Sequence, residues 1–94
     1  MKAILIREQG GRENLRLEEI EKPIPGSGEI LVKIRACSLN YLDIFVRRGM
    51  PGLPVDLPRI GGGDIAGEIE EIGIDVEKLS PGNRVLLDPA IRLP

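Results

Sequence analysis

Glycine and proline punctuate this chain too densely for a helical bundle. The sequence holds 12 glycines and 8 prolines, about a fifth of its residues. That proportion suits short strands joined by tight turns, because glycine supplies positive φ and proline removes a ladder donor. Between the breaks, apolar and polar residues alternate. Residues 2–7 read as a first strand, Gln9 to Asn14 as a turn, and Leu15 to Ile20 as a half-exposed second strand. Lys22 to Gly28, with two prolines and two glycines, is a loop. The clearest strand follows: Ile30, Val32, Ile34 and Ala36 fall on one face, Glu29, Leu31, Lys33 and Arg35 on the other. Only from Asn40 to Gly49 does the period change. Leu42, Phe45 and Val46 stand at i, i+3, i+4, which predicts a helix of about three turns, capped by Ser38 or Asn40 and stopped at Gly49.

Residues 50–58 read as an extended surface loop. Ile65, Gly67 and Ile69 then alternate with Ala66, Glu68 and Glu70 in a strand with an acidic outer face. Ser80-Pro81-Gly82-Asn83 is a turn, a last strand begins at Arg84, and Asp88 to Pro94 reads as a loop. Five or six short strands and one small helix predict a mainly β fold, a barrel. Its core must be aliphatic, since Tyr41 and Phe45 are the only aromatic residues.

At 94 residues the chain has room for one domain of modest core. Thirteen basic against 15 acidic residues leave a net charge of −2, which offers no electrostatic footprint for nucleic acid or an anionic membrane. No apolar run approaches the roughly 20 residues of a membrane span, and no basic-then-apolar leader opens the chain. A single cysteine, Cys37, excludes an internal disulfide, and its default role is that of a small buried apolar side chain. These features predict a cytoplasmic protein. The absence of histidine removes Ser-His and Cys-His catalysis and, with one cysteine, every ordinary structural zinc site.

Four ordered segments resemble the medium-chain dehydrogenase/reductase family, quinone-oxidoreductase branch. They are Pro25-Gly26-Ser27-Gly28 with the strand after it, Leu39-Asn40-Tyr41-Leu42-Asp43 followed by Arg48-Gly49, Pro58 to Ile69 with its glycine cluster, and Pro81-Gly82-Asn83-Arg84-Val85. In order, they run from Pro25 to Val85. The resemblance implies a GroES-like, partly open β-barrel that lines the substrate side of a cleft. It also implies a following Rossmann domain, absent from this chain, that binds NADPH or NADH.

The family's zinc-dependent members hold catalytic zinc with a Cys in the helix and a His-Glu pair after the glycine. The matching positions here are Asn40, Gly63 and Asp64. An amide is a poor zinc ligand and glycine is none, so no metal is expected. Without zinc, the resemblance makes Asn40, Tyr41 and Asp43 the catalytic candidates. Asn40 can donate to a carbonyl oxygen or the nicotinamide amide. Tyr41 stands where many members face the cofactor phosphates, so Tyr41 and Asn40 are also the cofactor-binding candidates. Asp43 matches a supporting carboxylate that orients its neighbours. Leu42 replaces the proton-relaying Ser or Thr of alcohol dehydrogenases, which argues against alcohol oxidation by that route. Gly63 and Asp64 are assigned to the substrate pocket.

Gly61-x-Gly63-x-x-Ala66 formally satisfies a dinucleotide fingerprint, but a proline-rich loop precedes it and an alternating strand follows, so no helix N-terminus receives a pyrophosphate. Lys22, Arg47 and Arg48 read as solvated surface charge. The leading expectation is the substrate-side domain of a zinc-independent, NAD(P)H-dependent quinone or enone reductase, inactive in isolation and binding no cofactor strongly. Its partners are a small carbonyl or quinone substrate and the Rossmann domain, and a homo-oligomer is compatible with it. The alternatives are a zinc-type alcohol dehydrogenase domain and a GroES-like co-chaperonin. The latter needs a long apolar early loop where Gln9 to Asn14 is short and polar.

Overall fold

The computed structural model describes residues 1–89. It is mainly β with one helix, as the alternation predicts, and divides into two compact units. Met1–Lys22 and Leu39–Gly62 form the first, and Pro23–Ser38 with the chain from Gly63 onward forms the second. The expected terminal loop from Ala90 to Pro94 lies outside the described residues.

The first unit is built on a three-stranded antiparallel sheet in the order β2-β1-β4. Strand β1 (Lys2–Ile6) runs from Lys2 opposite Glu19 to Ile6 opposite Leu15 on β2 (Leu15–Glu19). Its other edge takes the two-residue β4 (Arg59–Ile60), a strand that no alternation marks. Successive strand residues point to opposite faces, yet Leu5 and Ile6 are both buried. The central strand is therefore covered on both sides at that point. Arg7 closes the hairpin with a bidentate pair, Nε to Glu18 Oε2 at 2.8 Å and Nη2 to Oε1 at 2.9 Å.

Helix α1 (Tyr41–Arg48) is eight residues long, nearer two turns than the three expected. Asn40 is its N-cap and Gly49, at φ 89°, ends it. The buried side is also displaced from the expected stripe. Val46 and Arg47 are buried and Asp43 and Ile44 half-buried, whereas Leu42 and Phe45 are exposed. The helix is fixed at its C-terminal end by the Gln9-Gly10 turn. Gly10 N–H donates to the Arg47 carbonyl at 2.8 Å, Arg47 Nη1 returns a bond to the Gly10 carbonyl at 2.9 Å, and Gln9 Nε2 donates to the Val46 carbonyl at 3.0 Å.

The second unit carries the other antiparallel sheet, β3-β5-β6. Strand β3 (Ile30–Ser38) pairs with β5 (Asp64–Ile72), which pairs in turn with β6 (Arg84–Leu86). The β3 ladder shifts register between Leu31 and Val32 and again between Ile34 and Ala36. Those bulges interrupt the two-face alternation expected of this strand, and Ile34 and Ala36 are exposed. Ile69 is the buried centre of the unit. The glycine of the central strand has a packing reason: a Cβ on Gly67 would run into the Lys33 carbonyl oxygen and lie 2.9 Å from Val32 Cγ1. The turn before β6 is closed by Asn83, whose Oδ1 accepts the Ser80 N–H at 2.9 Å.

Candidate functional site

The three catalytic candidates stand together at the start of α1, because the sequence Asn-x-x-Asp builds a capping box there. Asn40 N–H donates to Asp43 Oδ2 at 2.8 Å. The other oxygen, Oδ1, accepts the Gly62 N–H at 2.9 Å. Asp43 thus joins the first helical turn to the glycine loop that follows β4, and both of its oxygens serve backbone donors. Gly62 takes φ 91° at that point, a conformation glycine adopts without penalty. Tyr41 projects into solvent at 79% exposure, and the exposed Phe45 one turn on does not bury it. No alternation or spacing marks Gly62 as the partner of Asp43, since the pairing depends on how the loop returns to the helix.

Gly63 and Asp64 belong to the second unit, at the entry of β5. Asp64 faces Ser38 across the ladder, and Ser38 Oγ donates to Asp64 Oδ2 at 3.1 Å. Ser38, considered above as a helix cap, serves the second unit instead. A side chain at Gly63 would come within 3.2 Å of Pro89 Cβ. A cleft of about 210 Å³ lies along this strand pair, lined by Ala36, Cys37, Ser38, Asp64, Ile65 and Leu86 among others. Cys37 is exposed there, not buried as expected.

The first unit holds a second hollow, of about 350 Å³, beside α1. Ile6, Leu15, Leu39 and Ile44 make it mostly apolar, and Asp43, Arg47 and Arg12 add polar groups. Arg47 at 9% exposure corrects its reading as solvated surface charge. The signal lay in the helix period, since Arg47 follows Asp43 by four positions and shares its face. Arg48 is exposed, as expected.

The donor set does not fit the zinc of the family's metal-dependent members. Of the three matching positions, Asn40 offers an amide within a capping box, Gly63 has no side chain, and the Asp64 carboxylate accepts from Ser38.

Residues 26–93 match the family described as alcohol dehydrogenase GroES-like domain. The chain is 44% identical over 79 residues to a chloroplastic quinone oxidoreductase of Triphysaria versicolor, covering 82% of this chain and 24% of that protein. It is also 44% identical over 80 residues to a zinc-type alcohol dehydrogenase-like protein of Schizosaccharomyces pombe, covering 84% and 23%. Among solved structures, Escherichia coli quinone oxidoreductase complexed with NADPH superposes with a TM-score of 0.82 at 30% identity, over 92% of this chain and 26% of that one. The chain spans about a quarter of the length of these relatives. The resemblance carried by the four segments is therefore sound: this chain belongs to the alcohol dehydrogenase GroES-like domain family of the medium-chain dehydrogenases/reductases.

Proposed function

We propose that this chain is the substrate-side domain of a zinc-independent, NAD(P)H-dependent reductase of quinones or related conjugated carbonyls, completed by a nucleotide-binding domain outside it. The observation that carries the reading is the Asn40–Asp43–Gly62 arrangement. It holds an amide side chain at the first position before α1 while leaving the positions of a metal site without a sulfur or imidazole ligand. The names of two relatives, a quinone oxidoreductase and one complexed with NADPH, support it.

When bound, the nicotinamide supplies the hydride. This chain's part is to bind and orient. The Asn40 carboxamide donates to the acceptor's oxygen, and its position is fixed because the helix cap and the Asp43 carboxylate fix its backbone. Tyr41, exposed on the first turn, offers a hydroxyl to the cofactor's phosphates. Gly63, lacking a side chain, and Asp64, held by Ser38, shape the substrate pocket. Leucine at position 42 moves no proton, so the reading favours reduction of an activated double bond over alcohol oxidation.

The test has two arms. NADPH added to this chain alone produces no saturable change in nicotinamide fluorescence. In the parent protein, Asn40→Ala lowers kcat, because the acceptor's oxygen loses its donor. Stoichiometric, tight NADPH binding by the isolated chain, or an Asn40→Ala parent of undiminished kcat, would overturn the reading.

A further inference from the structure

We infer that the apolar hollow beside α1 in the first unit is a binding site for a small amphipathic monoanion, a carboxylate borne on an apolar body. This inference is independent of the reductase reading above.

The hollow has about 350 Å³, within the size range of small-molecule sites. Ile6 is buried, while Leu15 and Leu39 are exposed, so the hollow is open on its leucine side. Its lining therefore offers apolar contact to an entering group. What distinguishes it from an ordinary greasy depression is Arg47. That side chain is at 9% exposure, and its polar contact among the described residues is one bond, Nη1 to the Gly10 carbonyl at 2.9 Å. A guanidinium carries five N–H donors in a planar fork matched to a carboxylate. Among the described residues no buried side-chain nitrogen lacks a partner, so the rest of the Arg47 fork is accessible, and an incoming carboxylate can meet it with charge-assisted bonds.

Two other charged groups face the hollow, Asp43 and Arg12. Asp43 directs Oδ1 to the Gly62 N–H and Oδ2 to the Asn40 N–H. Arg12, on the 3-10 turn Arg12–Asn14, adds a second guanidinium at the wall. Two guanidiniums against one carboxylate leave the lining with a net positive charge. Apolar lining selects the body of the ligand and the arginines select its head.

The test is a pair of probes of equal chain length, octanoate and 1-octanol, titrated into the isotope-labelled chain and followed by amide chemical shifts. Octanoate saturably shifts the amides of Gly10, Ile44 and Arg47, and octanol binds about tenfold more weakly, since it lacks the charge-assisted bonds. Arg12→Gln, at an exposed position where folding is unaffected, weakens octanoate several-fold without changing octanol. Arg47→Lys keeps a donor for the Gly10 carbonyl and loses the planar fork, so it also weakens octanoate selectively. Equal affinity for both probes, unchanged octanoate affinity in Arg12→Gln, or no saturable shift at these amides would overturn the inference. Loss of octanoate binding in the parent protein would do so too, since the hollow would then be filled by another part of that chain.

Discussion

The Gly62 amide donates to Asp43 Oδ1 at 2.9 Å, across 19 positions of sequence, while the same carboxylate accepts the Asn40 N–H. One side chain therefore ties the helix start to the returning loop. Asp43→Ala removes both acceptors and leaves a half-buried N–H unmatched. The expected loss is about 1–3 kcal/mol of unfolding free energy, the range for a lost cap together with an unsatisfied buried donor. Asp43→Asn recovers part of it, because one amide oxygen still accepts. Urea unfolding of the three proteins measures this, and indistinguishable midpoints would show that the carboxylate is no structural tie.

Gly67 is held to glycine by the neighbouring strand. Its Cβ position is occupied by the Lys33 carbonyl oxygen and approached to 2.9 Å by Val32 Cγ1. Gly67→Ala must push β3 away from β5, at a cost of about 1–3 kcal/mol. Gly61→Ala makes an informative contrast, since its Cβ would meet only Ile6 Cδ1 at 3.7 Å. There the change is expected to lie within about 1 kcal/mol and to favour the folded state, through the stiffer unfolded chain. Thermal unfolding of the two variants side by side distinguishes steric exclusion from a general cost of replacing glycine.

The Arg7–Glu18 pair predicts a pH dependence with a definite sign. The hydrogen bond from Arg7 holds the Glu18 carboxyl below its ordinary value, and the same bond raises Arg7. A carboxyl lowered in the folded state stabilises the fold above its unfolded value, and that contribution disappears as pH falls through the folded one. Stability should therefore decline on acidification through the lower carboxylate range, and Glu18→Gln should remove that part of the decline. Because the pair is exposed, added salt should weaken the effect. The Glu18 carboxyl resonance, followed against pH, would contradict this by titrating at the ordinary value.

Much of the fold was legible because its signals are local. Alternation located β1, β2, β3 and β5, and the Pro-Gly-Asn turn located β6. The two cap candidates, Ser38 and Asn40, and the stop at Gly49 bracketed the helix, and Asn40 is the cap it uses. What was not legible depends on chain returning from a distance. Strand β4 is two residues that pair with the edge of β1. The bulges in β3 answer to β5, and a period-2 reading cannot register them. The buried face of α1 was misplaced for the same cause. Val46 of the expected stripe is buried, but Leu42 and Phe45 are exposed and Arg47 is buried in their place, where the Gln9-Gly10 turn meets the C-terminal end of the helix; a charged residue does not advertise its burial. At the candidate site, the resemblance supplied Asn40, Tyr41 and Asp43. The structure added the partner of Asp43, the Gly62 amide.

The core of the second unit offers a simpler check on packing. Ile69 is at 2% exposure and Leu86 at 81%. Ile69→Ala should cost about 2–5 kcal/mol, and Leu86→Ala should stay within about 0.5 kcal/mol. Chemical denaturation of each reads the difference, and comparable losses would mean that β6 covers more surface than its exposure indicates.

In the proposed function, this domain positions a conjugated acceptor for reduction without a metal. Its most direct test is NADPH oxidation by the parent protein with a small quinone, before and after exhaustive removal of metal ions. The expected result is NADPH consumed in step with the quinone, at a rate unchanged by metal removal. Activity that vanishes on chelation and returns with zinc, or no NADPH consumption at all, would contradict it.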